Sequence, residues 1–176
     1  MRIKWFSLIR ITGLLLVLLY HFFQTIFPGG FFGVDVFFTF SGFLITSLLL
    51  EEFGKKSQID LLGFFKRRFY RIVPPVALMV LVTMPFTFLV RQDYVAGIGG
   101  QIAGVFGFMT NFYEMLTGGS YESQFIPHLF VHNWSLAVEV HYYILWGLAV
   151  WFLSKRSKSS SQLRGMVFLL SAGAFI

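Results

Sequence analysis

Cysteine is absent from the 176 residues of the chain, and only 12% of them are charged. The first absence excludes disulfides, a thiol nucleophile and thiolate metal sites. The second excludes an ordinary soluble domain, in which about a quarter of the residues are charged. Hydrophobic residues make up 56% of the chain and aromatic residues 20%. This composition predicts an all-α polytopic membrane protein, a bundle of transmembrane helices.

The net charge of +6 could indicate a nucleic-acid partner. The cations cluster beside apolar segments, however, where they act as topology signals and bind anionic headgroups or ligands. We therefore expect membrane lipids, and no nucleic acid, as partners. Arg2 and Lys4 precede an apolar stretch that lacks a small-x-small cleavage site. This stretch is expected to be an uncleaved first span and not a signal peptide.

Four apolar segments are long enough to cross about 30 Å of hydrocarbon. They lie at about 8–27, 31–50, 73–90 and 134–153. A fifth segment, at 94–116, is rich in glycine and contains polar residues, so it could span the membrane or be re-entrant. Another apolar segment starts at 163 and is too short to span. We therefore expect residues 1–176 to be the N-terminal part of a larger, truncated membrane domain.

The positions of Lys and Arg predict the orientation of these spans. The loop 51–72 carries six basic and three acidic residues, which places it and the N-terminus in the cytoplasm. The "PGG" turn at 28–30 then faces outside. If the segment 94–116 is re-entrant, residues 91–133 lie outside and "KRSK" at 155–158 lies inside. If that segment spans, "KRSK" lies outside, against the rule, so we favour the re-entrant path.

An ionisable side chain within an apolar span is costly and marks a candidate functional site. The first span has two, Arg10 and His21. Their spacing of eleven residues is about three helical turns, which puts them on nearly one face and roughly 16 Å apart. Histidine can move a proton near neutral pH, as an acyl or proton transfer requires. Alternatively, Arg10 extends to the membrane interface and His21 hydrogen-bonds a neighbouring helix.

The second span carries Asp35 near its start and Ser41-Gly42 at its middle, within "FGVDVFFTFSGFLITSLLL". Near a helix N-terminus a carboxylate is favoured by the helix dipole and by free N–H groups. Helix capping is therefore the expected role of Asp35, ahead of catalysis. Ser41 and Gly42 permit close helix packing or a local kink.

Basic residues precede the third span in "FFKRRFYRIVPP", residues 64–75. Arg68 and Arg71 are three residues apart and are expected on one helix face. Two guanidinium groups on one face suit the phosphates of an anionic cytosolic ligand, although an ordinary cytoplasmic charge cluster is the alternative. Pro74 and Pro75 are expected to end the preceding segment and to open the next helix.

The fourth span follows His132 and begins near Trp134-Ser135, within "PHLFVHNWSLAVEVHYYILW". Ser135 is a candidate N-cap for its helix. Glu139 lies about one turn inside the span, where a buried acid needs a partner. His21 belongs to the outer half of its own span, as Glu139 does, so these two side chains could meet.

No metal site is predicted. His128 and His132 have the i, i+4 spacing of a zinc peptidase motif but lack its glutamate. Patterns for serine hydrolases and for phosphate-binding loops are also absent from the sequence.

Four motifs together resemble the N-terminal half of the acyltransferase-3 family of membrane acyltransferases. They are the Arg10/His21 pair, "GGFFGVDVFFTFSGFLI" at 29–45, "FFKRRFYRIVPP" at 64–75 and "HNWSLAVEVHYY" at 132–143. The resemblance is greatest to streptococcal-type peptidoglycan O-acetyltransferases. It implies an enzyme of the plasma membrane that takes acetyl from cytoplasmic acetyl-CoA. The acceptor would be a cell-wall glycan, at the C6 hydroxyl of N-acetylmuramic acid, and the result would be lysozyme resistance.

The same resemblance implies roles for individual residues. His21 matches the essential histidine of the family, and Arg10 matches the arginine before it. Arg68 and Arg71 match an Arg-x-x-Arg pair that handles CoA, and Glu139 matches the glutamate of a Trp-Ser-Leu-x-x-Glu motif. Further residues would line a polar passage: Asp35, Ser41, Gly42, Trp134 and Ser135.

Three departures from the family pattern stand beside this resemblance. Gly13 occupies a position where alanine is usual, and His141 one where glutamine is common. The C-terminal spans and a C-terminal or separate SGNH-type domain, which completes the transfer in two-part members, are missing. Three other interpretations therefore remain: O-acylation of another surface glycan, an inactive fragment, and a channel or transporter subunit whose charges line a pore.

Overall fold

A computed structural model gives the structure of the protein and describes residues 4–90, 97–117 and 128–173. All regular elements in these ranges are helices, which confirms the predicted all-α fold. Two 3₁₀ turns, at Pro28–Phe32 and Val131–Asn133, precede α2 and α6. The α-helices are α1 (Lys4–Phe22), α2 (Gly33–Lys56), α3 (Leu61–Val90), α4 (Ile98–Phe106), α5 (Thr110–Thr117), α6 (Trp134–Arg156) and α7 (Ser160–Gly173).

Three helical stretches in the described part of the chain are long and apolar enough to cross a membrane. They are Pro28–Lys56, Leu61–Thr87 and Val131–Arg156. The apolar stretch Ile11–Phe22 of α1 is shorter. The chain divides into two compact units: the first combines Met1–Ile59 with Val150–Ile176, and the second is Asp60–Ala149.

In the first unit, α1 ends five residues before the predicted limit of its span. Phe27 has φ −123° and ψ 60°, a non-helical conformation, and Pro28 follows it. A proline disfavours the helical conformation of the residue before it, which explains the conformation of Phe27 but not the end of α1 at Phe22. The 3₁₀ turn then leads directly into α2.

Glycines allow α1 and α2 to pack closely. A Cβ atom added to Gly33 would collide with the carbonyl oxygen of Gly13 and lie 2.8 Å from Val17 Cγ2. A Cβ atom added to Gly30 would collide with the carbonyl oxygen of Leu16. Small residues permit such close approach between membrane helices, where dispersion contacts drive association.

One face of α2 is buried within the first unit. Ser41, Ile45, Leu49 and Phe53 follow each other at intervals of four residues, and their exposed fractions lie between 0% and 6%. This helix packs against α7, on which Leu163 and Val167 are buried. Ser41 is therefore part of a packed face. The helix runs without interruption through Gly42, whose carbonyl accepts a 2.8 Å hydrogen bond from Thr46 Oγ1.

In the second unit, α3 is continuous through Pro74, Pro75 and Pro85. The prediction that Pro74 and Pro75 end one segment and open another is therefore wrong. Interior prolines break helices in water, but apolar membrane helices tolerate them, because neighbouring groups compensate for the lost backbone donor. The α3 residues Val76 and Val80 form a buried core with Val105 of α4 and Phe130.

The described part of the fifth apolar segment consists of two short helices. α4 has nine residues and α5 has eight, so each is about 12–14 Å long and too short to cross the hydrocarbon. The connection turns at Phe108, whose φ is +53°, and Met109 N donates to Gly104 O at 2.7 Å. No single helix spans residues 97–117. Whether the segment 94–116 is re-entrant stays a prediction.

The close packing of the 3₁₀ turn Pro28–Phe32 against α1 predicts different effects at two adjacent glycines. Gly30→Ala should lower the free energy of unfolding by about 1–3 kcal/mol, because its Cβ would collide with Leu16 and lie 2.8 Å from Tyr20 Cβ. Gly29→Ala is the matched control, since its Cβ would meet only Phe32 Cδ2, at 3.9 Å. Thermal unfolding in detergent measures both. Equal stability of the two variants would contradict the packing.

Candidate functional site

Arg68 of α3 is a charged residue that is buried within the second unit. Only 9% of its surface is exposed. Its guanidinium carbon lies 5.6 Å from the ring centre of Phe64 and 5.3 Å from that of Tyr143. Phe64 lies one turn earlier on α3, and Tyr143 belongs to α6. Because a guanidinium interacts favourably with aromatic faces, the two rings stabilise this cation away from water.

Tyr143 links Arg68 to an acidic residue. Its hydroxyl donates a hydrogen bond to Glu139 Oε1, one turn earlier on α6. Ser135 lies a further turn back, so Ser135, Glu139 and Tyr143 occupy one face of α6. We call Arg68, Tyr143 and Glu139 the Arg68 cluster. It brings together two of the residues that the sequence analysis singled out.

A cavity of about 700 Å³ opens beside the Arg68 cluster. This volume is within the range of small-molecule binding sites. Nearly all of the wall surface is apolar, although Lys66, Arg68 and Tyr143 are among the lining residues. The other lining residues are Leu62, Phe65, Phe69, Tyr70, Ile72, Val73, Phe108, Val140 and Ile144. The cavity can therefore hold an apolar ligand or chain beside the buried arginine.

Arg71 differs from Arg68 although the two are three residues apart. Arg71 is exposed, and it does not belong to the cavity wall. Three residues are less than one helical turn, so the side chain of Arg71 projects from α3 in a direction about 60° from that of Arg68 around the helix axis. Arg68 therefore lies in the cavity wall and Arg71 outside it.

In the first unit, His21 lies in the last turn of α1 and is exposed. Its Nδ1 donates to the carbonyl oxygen of Val17 at 2.8 Å. A carbonyl only accepts, so Nδ1 carries the hydrogen and Nε2 carries the lone pair of the neutral ring. Arg10 is on the same helix, and its side chain lies outside the described part of the structure. A meeting of His21 with Glu139 stays a prediction.

Asp35 and Ser135 lie at helix starts, as predicted. Asp35 is the third residue of α2 and is exposed; the N-cap residue there is Phe32, without a side-chain cap. Ser135 is already inside α6, and its Oγ donates to His132 O at 3.3 Å. The 3₁₀ turn runs directly into α6, so Ser135 does not act as the N-cap that the sequence indicated. Trp134 is the first residue of α6 and is partly buried.

Sequence reasoning missed two features of the second unit. The first is Tyr143, although its i+4 spacing from Glu139 was a usable signal. The second is a buried pair in which His128 Nδ1 lies 2.7 Å from Glu114 Oε2, with side chains 10% and 8% exposed. The signal for this pair in the sequence was a single acidic residue, Glu114, within the apolar segment 94–116. Within residues 4–90, 97–117 and 128–173, no group of three His, Cys, Asp or Glu is placed to hold a metal ion.

Long apolar helices that enclose a buried arginine, a tyrosine and a glutamate define a class: multi-pass membrane proteins with a polar site among their helices. A sequence model of the acyltransferase domain family matches residues 3–176. The chain belongs to this family, as its motifs predicted, and is a multi-pass membrane protein.

Curated relatives agree with this assignment. The chain is 33% identical over 170 residues to the O-acetyltransferase OatA of Staphylococcus aureus strain NCTC 8325, which is 96% of this chain and 28% of that protein. It is 32% identical over 139 residues to the peptidoglycan O-acetyltransferase OatA of Listeria monocytogenes, which is 78% of this chain and 22% of that protein. The chain thus spans about a quarter of these relatives. No solved structure matches it.

The contact between Arg68 and Tyr143 predicts a measurable coupling. A double-mutant cycle with Arg68→Met and Tyr143→Leu should give an interaction energy of about 0.5–2 kcal/mol in denaturant unfolding, since each change removes the same cation–ring contact. The control cycle replaces Arg68→Met by Arg71→Met, at an exposed position outside the cavity wall, and should be additive within about 0.5 kcal/mol. Additivity in the first cycle would contradict the contact.

Proposed function

We propose that the whole protein transfers an acetyl group from cytoplasmic acetyl-CoA to cell-wall peptidoglycan. The acceptor is the C6 hydroxyl of N-acetylmuramic acid, and the modification confers resistance to lysozyme. Membership of the acyltransferase family and the names of the relatives support the reaction class. The observation that carries the proposal is the buried Arg68 cluster beside a cavity of about 700 Å³.

The cavity suits the chemistry of acetyl-CoA. That donor has an anionic nucleotide and a long, mainly apolar pantetheine arm ending in a thioester. The apolar wall suits the arm, and Lys66 and Arg68, which are among the lining residues, are proposed to bind the phosphates at its edge. Arg71, which is exposed, can bind phosphate outside the wall. These cations belong to the loop and helix start that the positive-inside rule places in the cytoplasm, where acetyl-CoA is made available.

His21 is the proposed acetyl carrier or base. In the carrier route, its Nε2 attacks the thioester carbonyl, a C–N bond forms, and the C–S bond breaks to release the CoA thiolate. The acceptor hydroxyl then attacks the acetyl carbon, a C–O bond forms, the C–N bond breaks so that Nε2 regains its lone pair, and the hydroxyl proton is lost to a base or to water. Arg10 and Glu139 are proposed to orient or neutralise the histidine, with the hydroxyl of Tyr143 fixing Glu139.

The remaining parts of the proposal concern the passage of the acetyl group. Asp35, Ser41, Gly42, Trp134 and Ser135 are proposed to line the path between the donor and the acceptor. A C-terminal or separate SGNH-type domain would complete the transfer outside the membrane. The matched relatives are about four times as long as the region shared with this chain, which leaves room for further spans and such a domain.

The first functional prediction concerns His21. His21→Ala should lower ester-linked acetate in the cell-wall glycan at least 100-fold and restore lysozyme sensitivity, because the proposed carrier nitrogen is lost. The amount of protein in the membrane should not change. His132→Ala, at an exposed histidine of the 3₁₀ turn before α6, is the control. Normal acetate in the His21 variant would contradict this role.

The second functional prediction concerns donor binding. Arg68→Ala should raise the KM for acetyl-CoA about 10- to 100-fold, because a charge-assisted contact with the donor is removed. Arg164→Ala removes the same charge from an exposed position of α7 and should leave the KM within about twofold. Steady-state kinetics with the protein in lipid vesicles measure both. An unchanged KM in the Arg68 variant would show that this cavity is not the donor site.

A further inference from the structure

A second buried ionisable pair lies in the second unit, outside the Arg68 cluster. It joins Glu114 of α5 to His128, which precedes the 3₁₀ turn before α6. The 2.7 Å contact between Glu114 Oε2 and His128 Nδ1 directs the ring hydrogen at the carboxylate. In the neutral ring, Nε2 then carries the lone pair. This is the arrangement of a base that a carboxylate holds in one orientation.

The chain around this pair is fixed by its neighbours. The backbone N–H of Phe130 donates to Gln101 Oε1 at 3.3 Å, and Gln101 is 1% exposed on α4. The ring of Tyr113 lies 5.7 Å from the imidazole of His128. These contacts hold the His128 segment against α4 and α5, so the imidazole has a defined position.

Three oxygen atoms of α5 are buried and have no hydrogen-bond partner in the described structure. They are Thr110 Oγ1, Asn111 Oδ1 and Glu114 Oε1. Thr110 is 1% exposed and Glu114 is 6% exposed. Glu114 is four residues after Thr110 and three after Asn111, so each of these two side chains neighbours that of Glu114 on the helix surface. Buried polar atoms almost always have a partner, because leaving one unsatisfied costs about 1–3 kcal/mol.

A ligand that brings hydrogen-bond donors would satisfy these atoms. All three can accept a hydrogen bond, and the Thr110 hydroxyl can also donate one. The ligand class that fits is a polyhydroxylated one, such as a sugar, since each hydroxyl can donate one hydrogen bond. A single ordered water is the smaller alternative, because it can donate two hydrogen bonds and accept one from the Thr110 hydroxyl.

The position of the pair along the chain agrees with an acceptor role. The last turn of α6 carries Lys155 and Arg156, which the positive-inside rule places in the cytoplasm. α6 has 23 residues and is about 34 Å long, enough to cross the hydrocarbon. Its start, with His128 just before it, is then at the extracytoplasmic end, where a cell-wall glycan lies.

We propose that Glu114, His128 and the unpartnered oxygens of α5 form the acceptor site, which binds a sugar and deprotonates its hydroxyl. This inference rests on the proposed acetyl transfer and assigns the residues that serve its acceptor half. The hydroxyl oxygen attacks the acetyl carbon, a C–O bond forms, and the proton passes to His128 Nε2. The bond from the acetyl carbon to its carrier breaks, the carrier atom keeps the electron pair, and His128 afterwards releases its proton to water. Glu114 stabilises the transient imidazolium.

The test separates the two halves of the reaction in the full-length protein in lipid vesicles. Acetyl-CoA-dependent release of CoA and labelling of the protein, measured without acceptor, report the donor half. Transfer of labelled acetate to a soluble peptidoglycan fragment reports the acceptor half. Glu114→Gln should keep the donor half within about twofold and lower transfer at least 100-fold. Thr117→Val, at an exposed threonine of α5, is the control and should change neither half.

Thr110→Val provides a milder and independent variant. It removes one unpartnered oxygen while nearly conserving shape, and it should raise the KM for the fragment about tenfold with a kcat within twofold. The KM for acetyl-CoA should not change. A purely structural role would not produce this division between the two substrates.

The possible failures are distinguishable. Normal transfer in Glu114→Gln, or an unchanged fragment KM in Thr110→Val, would show that the oxygens hold only a structural water, and would overturn the acceptor site alone. Loss of both halves in a correctly inserted Glu114→Gln protein would also contradict it. Absence of the donor half in the unaltered protein would instead overturn the proposed acetyl transfer.

Discussion

The burial of a permanent positive charge, that of Arg68, is the constraint on which the second unit depends. Moving an unpaired charge out of water costs many kcal/mol, so a buried guanidinium requires partners in fixed positions. Phe64 and Tyr143 supply aromatic faces, and the Tyr143 hydroxyl is itself fixed by Glu139. The need to stabilise this one buried charge therefore determines which side chains of α3 and α6 face each other. Arg68 and Tyr143 also line a cavity whose wall is almost entirely apolar.

This constraint connects the fold to the proposed chemistry. A donor with phosphates and a thioester needs a positive charge and an apolar wall that do not rearrange when it binds, because preorganised groups stabilise developing charge most effectively. Arg68 and its rings meet that need. The Glu114–His128 pair follows the same principle with opposite roles, since there a carboxylate fixes a base. α6 carries Glu139 and Tyr143 and begins shortly after His128, so one helix relates the two sites along the chain.

Sequence patterns predicted the helical class and the apolar extents of α2 and α6, because hydrophobic runs are local signals. Isolated charges singled out Arg68 and Glu139, which the structure joins through Tyr143. The continuous α3 was not predicted, because rules for proline derive from helices in water. The different exposure of Arg68 and Arg71 depends on which face of α3 meets α6, which spacing along one helix cannot give. The Glu114–His128 contact joins residues fourteen positions apart, and no helical period relates them. For His21, the sequence identified the candidate residue. The structure added its tautomer, because Nδ1 donates a hydrogen bond to the carbonyl oxygen of Val17.

The most direct measurement of the central claim is photocrosslinking of the full-length protein in lipid bilayers with a photoreactive acyl-CoA analogue, followed by peptide mapping. The account predicts labels on wall residues of α3 and α6, such as Phe65 and Ile144, that excess CoA suppresses and that Arg68→Ala reduces strongly. Labels confined to other helices, or labelling of α3 that Arg68→Ala leaves unchanged, would contradict a donor site organised by the buried arginine.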